Sequence, residues 1–329
     1  MTQPKKLIEV AMPIKEISAE SVRDKSIRHG HISTLHLWWA RRPLPVCRAV
    51  VFASLVPDPS DENCPQSFRD AVEILLGSAK KPLEEQDFDP NAYKPYDDIP
   101  YTAAIDKMED TPRNRLLMFI GKYSNEFGTN EKAGKVTSSG RQLSDFSLIK
   151  WDNKNNDKII NKARKLIWVA QNSGNIKLSA TDLISDFDRH YKAIKDAEKE
   201  FYSITDRHIE NEKSRSHSKK LNASIEAFLD KMPKVFDPFA GGGAIPLEAA
   251  RLGCRSFGND INPVAHIIQK GSLEFPQKFG KPITYGKNEF IRIYGKDRWG
   301  KMSNDSLVFD KGEPIAVNIP NRLSYDIEF

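Results

Sequence analysis

The sequence predicts an α/β chain, in which a partial, Rossmann-like parallel unit near the C-terminal end follows a large and mostly helical insert. Three observations predict it. An apolar run beginning at Val235 enters the turn Asp237-Pro238-Phe239-Ala240-Gly241-Gly242-Gly243. Helical periodicity then covers residues 244–252 and stops at Gly253. An acidic residue, Asp260, stands 17 positions after Gly243, within Asn259-Asp260-Ile261-Asn262-Pro263. Strand, glycine turn, helix, strand and acid in that order build a nucleotide-type cradle.

Each part has a physical reason. Glycines let the backbone pass close beneath a ligand where a Cβ would collide. The amides opening the next helix favour a polar or charged group. A carboxylate at the end of the second strand takes both hydroxyls of a ribose. The arrangement suits an adenosyl cofactor, held by Asp237, Pro238, Phe239, Ala240, Gly241, Gly243, Asp260, Ile261 and Asn262. Asn262 and Pro263 also have an ordinary structural use as cap and first residue of a following helix.

With 329 residues the chain has material for one large or two ordinary domains. Hydrophobic residues form 39% and charged residues 29%, which suits a globular protein in water. No apolar run approaches the ~20 residues of a membrane span. Cys47, Cys64 and Cys254 stand far apart, so neither a zinc site nor a disulfide framework is expected, and a reducing cytoplasm is the expected compartment. Net charge is +5 but unevenly spread: +5 over 1–50, −9 over 51–110, +8 over 111–235 and +1 over 236–329. Basic blocks around an acidic one are compatible with a nucleic-acid partner and equally with solvated helical faces.

Three pieces are expected in order: 1–57, a mainly helical insert over 58–232, and the cradle with a short β tail over 233–329. In the first, residues 17–27 form a short helix with Ser18 as its cap, and a second helix starts at Pro43 and runs towards Pro57. Between them lie His29, His31 and His36, whose spacing fits no standard metal-ligand pattern, so no metal is expected. Trp38 and Trp39 are core residues or, with Arg41 and Arg42 beside them, a stacking or anion-binding surface. In the insert, residues 87–98 are acidic and turn-rich and 125–140 rich in Gly, Asn, Thr and Ser. Residues 71–76, 115–120 and 159–171 are helical, and 181–231 form an exposed helix or helical pair with a thin stripe of Leu183, Phe187, Tyr191 and Ile194. In the tail, 283–285, 290–294 and 307–309 are short strands.

The runs Met12-Pro13-Ile14-Lys15-Glu16-Ile17 and His29-Gly30-His31 through Trp38-Trp39-Ala40-Arg41-Arg42-Pro43-Leu44 resemble the N-terminal domain, of unknown function, of large adenine-specific DNA methylases found beside phage-defence genes. The likeness continues in 237–248, 258–263 and 273–280, about 100 residues altogether. It implies a class I S-adenosylmethionine methyltransferase fold and DNA as partner, in restriction or antiviral defence. It also implies that Arg42-Pro43-Leu44 packs beside the methionine end of the cofactor, with Arg41 or Arg42 facing the cofactor carboxylate or a DNA phosphate. Asp237 takes the methionine amino group and Asp260 the ribose.

That family methylates a flipped-out base on an Asp/Asn-Pro-Pro-Tyr loop, and this sequence has no Pro-Pro dipeptide. No catalytic residue is therefore assigned. The expectation is the cofactor-binding front part of a methylase, inactive alone; a natural truncation, a split gene whose partner chain completes the sheet, and a cut piece of a longer chain all fit. A non-catalytic nucleic-acid-binding or assembly subunit, or an RNA base methyltransferase, are the other expectations.

Overall fold

The computed structural model describes residues 3–26, 42–77, 110–124, 126–127, 130, 133–135, 142–174, 178–202, 212–280, 283–310 and 312–319. His29, His31, His36, Trp38, Trp39 and Arg41 lie outside them, as do the turn-rich 87–98 stretch and most of 125–140. The chain is mixed α/β, mostly helical, with two small sheets. Its elements are α1 (Ile14–Ser26), α2 (Leu44–Leu55), α3 (Gln66–Leu76), α4 (Pro112–Ile120), α5 (Asp157–Asn172), α6 (Ala180–Tyr202) and α7 (Glu212–Leu229). There follow β1 (Lys234–Asp237), α8 (Ala244–Arg251), β2 (Arg255–Gly258), α9 (Pro263–Gln269), α10 (Phe275–Phe279), β3 (Ile283–Gly286), α11 (Lys287–Tyr294), α12 (Lys296–Trp299), β4 (Leu307–Asp310) and β5 (Glu313–Ile319).

Two compact units result, both discontinuous in sequence: 1–188 with 229–268, and 189–228 with 269–329. In the first, α2 is the central helix. Eight of its twelve residues are buried, Val46, Val50 and Ser54 lie along its more exposed side, and it packs against α1, α5 and α8. Phe52 on α2 meets Phe119 on α4 edge to face at 5.8 Å, and Trp168 on α5 meets Phe187 on α6 at 5.6 Å. Burying rings of this size contributes roughly 2–3 kcal/mol each. β1 and β2 are parallel, paired Val235 to Ser256 and Phe236 to Phe257. Helix α8 covers the Val235 and Ser256 face, with the Ser256 hydroxyl donating to the Pro246 carbonyl at 2.8 Å. Phe236 and Phe257 share the other face and are exposed.

In the second unit the sheet order is β3-β5-β4, antiparallel throughout. Tyr285, Phe290, Val317 and Ile319 form its core, with Tyr294, Trp299, Met302 and Leu307 packed on it.

Two local expectations are corrected. The first helix starts at Ile14, directly after Pro13, so Ser18 lies inside it and caps nothing. Residues 290–294 are helical, not extended. Their apparent alternation hid a spacing of four: Phe290 and Tyr294 face the same core with ring centroids 4.9 Å apart, and Gly295 at φ 89° ends the helix. The strand central to that sheet, Glu313–Ile319, had not been expected. The helical pair foreseen over 181–231 is α6 and α7, and Leu183 and Phe187 of its stripe are buried.

Charged groups inside the first unit are mostly matched. Arg48 and Glu248 are completely buried and form a fork: Arg48 Nε donates to Glu248 Oε2 at 2.6 Å and a terminal nitrogen donates to Oε1 at 3.3 Å. The other terminal nitrogen of Arg48 donates to the Leu148 carbonyl at 2.8 Å, and Arg251 also pairs with Glu248. Asp24 accepts from the Leu44 amide at 3.3 Å and so places a buried carboxylate at the N-terminus of α2.

Glu16 is the exception. It is buried beside Gly121, where an added Cβ would lie 3.1 Å from that of Glu16. Its Oε2 is buried with no hydrogen-bond partner, and burial pushes its carboxyl up to about 7. The folded chain thus binds a proton here that the unfolded chain has released, and the associated stability is complete below about pH 4.5 and lost as pH rises through 7. We expect Glu16→Gln to match the parent in chemical denaturation near pH 4.5 and to exceed it by up to about 3 kcal/mol at pH 8. Equal stabilities at pH 8 would show that Glu16 is not desolvated in the folded chain.

Candidate functional site

The loop between β1 and α8 is shaped from its first residue. Asp237 ends β1 and turns back on the loop, where its Oδ1 accepts from the Phe239 amide at 3.0 Å. The Ala240 amide donates to the Asn259 carbonyl and the Asn259 amide to the Asp237 carbonyl, both at 2.9 Å, so the ends of the two strands are tied together. Gly241 and Gly243 have φ of 51° and 81°, left-handed values that a side chain resists. The Gly243 amide closes the turn on the Ala240 carbonyl at 2.8 Å, and α8 begins at once.

Gly242 differs. A Cβ there would meet one atom within 4 Å, Ile268 Cγ2 at 3.9 Å, which is ordinary contact. Its backbone is not in the left-handed region. The fold itself does not require glycine at 242, and among the described residues its amide has no acceptor.

Asp260 couples the second strand to the loop. Its Oδ2 accepts from the Gly241 amide at 2.8 Å and its Oδ1 from the Asn262 amide at 2.9 Å. These two amides, Asn262 first, hold its carboxyl below the usual range, so it is ionised at neutral pH. Each oxygen keeps a second lone pair for a hydroxyl donor. Asn262 caps α9, its side chain accepting from the Val264 amide at 2.9 Å. Beside this frame Phe239 and Ile261 are 77% and 100% exposed, two apolar side chains open to solvent at the ends of the strands.

The start of α2 reaches the same place. Arg42 lies next to Pro43, and its guanidinium stands 3.5 Å from Asp237 Oδ2. Asp237 is only 8% exposed, and that oxygen is buried without a hydrogen bond, so the ion pair is a charge contact that leaves its lone pairs unused. The structure therefore brings together Arg42, Pro43, Asp237, Pro238, Phe239, Ala240, Gly241, Gly243, Asp260, Ile261 and Asn262. The nucleic-acid candidates Trp38, Trp39 and Arg41 lie outside the described residues.

The residues that hold α2 against this site, Asp24, Arg48 and Glu248, were missed in the sequence. The signal was present, since Arg48 and Glu248 are single charges set in apolar helical runs, Val46-Cys47-Arg48-Ala49-Val50 and Pro246-Leu247-Glu248-Ala249-Ala250. A charge inside such a run is buried only with a partner.

The three glycines separate by substitution. Gly243→Ala forces a side chain into the left-handed region and is expected to cost about 1–2 kcal/mol, whereas Gly242→Ala should shift the denaturation midpoint very little. Equal losses would mean that the loop is held otherwise.

The sequence profile of a family described as "Protein of unknown function (DUF1156)" matches residues 11–75, the segment that carries α1, α2 and α3. No curated protein and no solved structure matches the chain. This similarity links the helices that deliver Arg42 to an uncharacterised domain.

Proposed function

We propose that this chain is the S-adenosylmethionine-binding portion of a DNA adenine-N6 methyltransferase. The observation that carries the reading is the pair of opposite charges at the end of β1. An α-amino-acid end group is a zwitterion. Its ammonium suits the buried, unsatisfied Oδ2 of Asp237, and its carboxylate suits the half-exposed guanidinium of Arg42. Asp260 offers lone pairs to a ribose, Phe239 and Ile261 offer apolar contact to a base, and the bare Gly242 leaves room for close approach.

When bound, the cofactor supplies an electrophilic methyl group on a sulfonium. This chain's own residues bind and orient it: Asp237 and Arg42 fix one end, Asp260 the middle. The assignment to DNA adenine rests on the wording of the two motifs and of the N-terminal run. A base platform has to come from outside these 329 residues, as they contain no Pro-Pro dipeptide. The same gap favours a second reading, a non-catalytic subunit that retains the cradle.

Calorimetry with two ligands tests the proposal. S-adenosylhomocysteine carries the amino-acid end, and 5′-methylthioadenosine has the same nucleoside without it. Asp260→Ala should weaken both by tenfold or more, and Gly242→Val should do the same. Asp237→Asn and Arg42→Gln should weaken only the first, by ten- to hundredfold, the usual scale for a charge-assisted hydrogen bond. Binding of neither ligand by the folded parent would refute the reading. Transfer of radiolabelled methyl to DNA by the chain alone is expected to be absent, and its presence would refute the missing-platform argument.

A further inference from the structure

We propose that Arg48 and Glu248 are positioning residues, whose buried fork sets the register of α2 on α8 and thereby holds Arg42 at Asp237. The inference rests on the cofactor reading for its ligand test and on geometry for the rest.

Helices α2 and α8 pack together, and buried residues beside the fork on these helices are small and apolar, Cys47 and Val51 on one and Ala249 on the other. Such surfaces attract without specifying a register, because a slide of one turn, about 5.4 Å, brings similar groups into contact. A fork does specify one. The planar Arg48 guanidinium donates to both Glu248 oxygens and the Leu148 carbonyl at the same time, so a slide of one turn would break all three bonds. Burial adds force to the constraint, since both side chains are completely enclosed and a slipped helix would strand two charges.

The fork lies close to what it would control. Glu248 is four residues after Ala244, where α8 starts, and Arg48 four residues after Leu44, where α2 starts, about 6 Å along each helix. The two helices therefore carry the glycine loop and Arg42 to the same end. Asp24 at the Leu44 amide fixes that end of α2 a second time. Replacing a buried ion pair often leaves stability little changed, so the effect to look for is misplacement.

The test is Arg48→Lys, which keeps the charge and loses the fork, beside Val72→Ala, a core truncation in α3 that only destabilises. The first readout is the ratio of affinities for S-adenosylhomocysteine and 5′-methylthioadenosine. Arg48→Lys should lower it about tenfold with the second affinity unchanged, and Val72→Ala should leave it alone. The second readout needs no ligand. Cys47 adjoins Arg48 and is buried, with its thiol pushed up to about 12. Its labelling by a disulfide reagent, located by peptide mass, should quicken at least tenfold in folded Arg48→Lys and stay slow in Val72→Ala. A folded Arg48→Lys protein with parental Cys47 protection overturns the proposal, as does an unchanged affinity ratio. If the parent binds neither ligand, the cofactor reading falls and Cys47 alone decides the positioning role.

Discussion

The contact between Arg48 and Glu248 is the constraint on which the first unit turns. It joins α2, whose start carries Arg42, to the helix that follows the glycine loop, and it draws in the Leu148 carbonyl and Arg251. Neither Arg48 nor Glu248 has access to water in place of its partner, while Arg251 is partly exposed. Replacing a buried pair of this kind by well-packed apolar residues often costs little, whereas removing one partner alone strands a buried charge. The apolar contacts of Phe52, Phe119, Leu116 and Trp168 make the unit compact, and the fork decides which way its central helix points.

Asp260 has an equivalent task on a smaller scale. One carboxylate takes an amide from the glycine loop and another from its own turn, so the loop and the end of β2 move as one piece. Gly241 and Gly243 supply the curvature, and Gly242 is left without a structural reason. The division of labour among three adjacent glycines separates what the backbone requires from what a ligand would require.

Much of this was legible in the sequence, and the exceptions have physical causes. Helix α8 ends beside Gly253, α2 starts beside Pro43, and Asn262 caps α9, because caps and breakers act locally and leave a local trace. Residues 290–294 misled because Ile291, Arg292 and Ile293 imitate alternation over a window too short to separate periods of two and four. The central strand 313–319 carries Pro314 and Asn318, poor strand residues, and is held by pairing on both edges. The cradle could be read because its residues are close together in sequence. Arg48 and Glu248 could not be matched to each other, since either charge alone is consistent with several partners.

Their separation also bears on how the protein comes into being. The two residues are 200 positions apart. At the usual pace of synthesis, 5–20 residues per second, α2 emerges about 10–40 s before the helix that receives its guanidinium. During that interval Arg48 has no Glu248 to enter with, and leaving an unmatched charge in a closing core is costly. The N-terminal helices therefore lack this partner until α8 has been made.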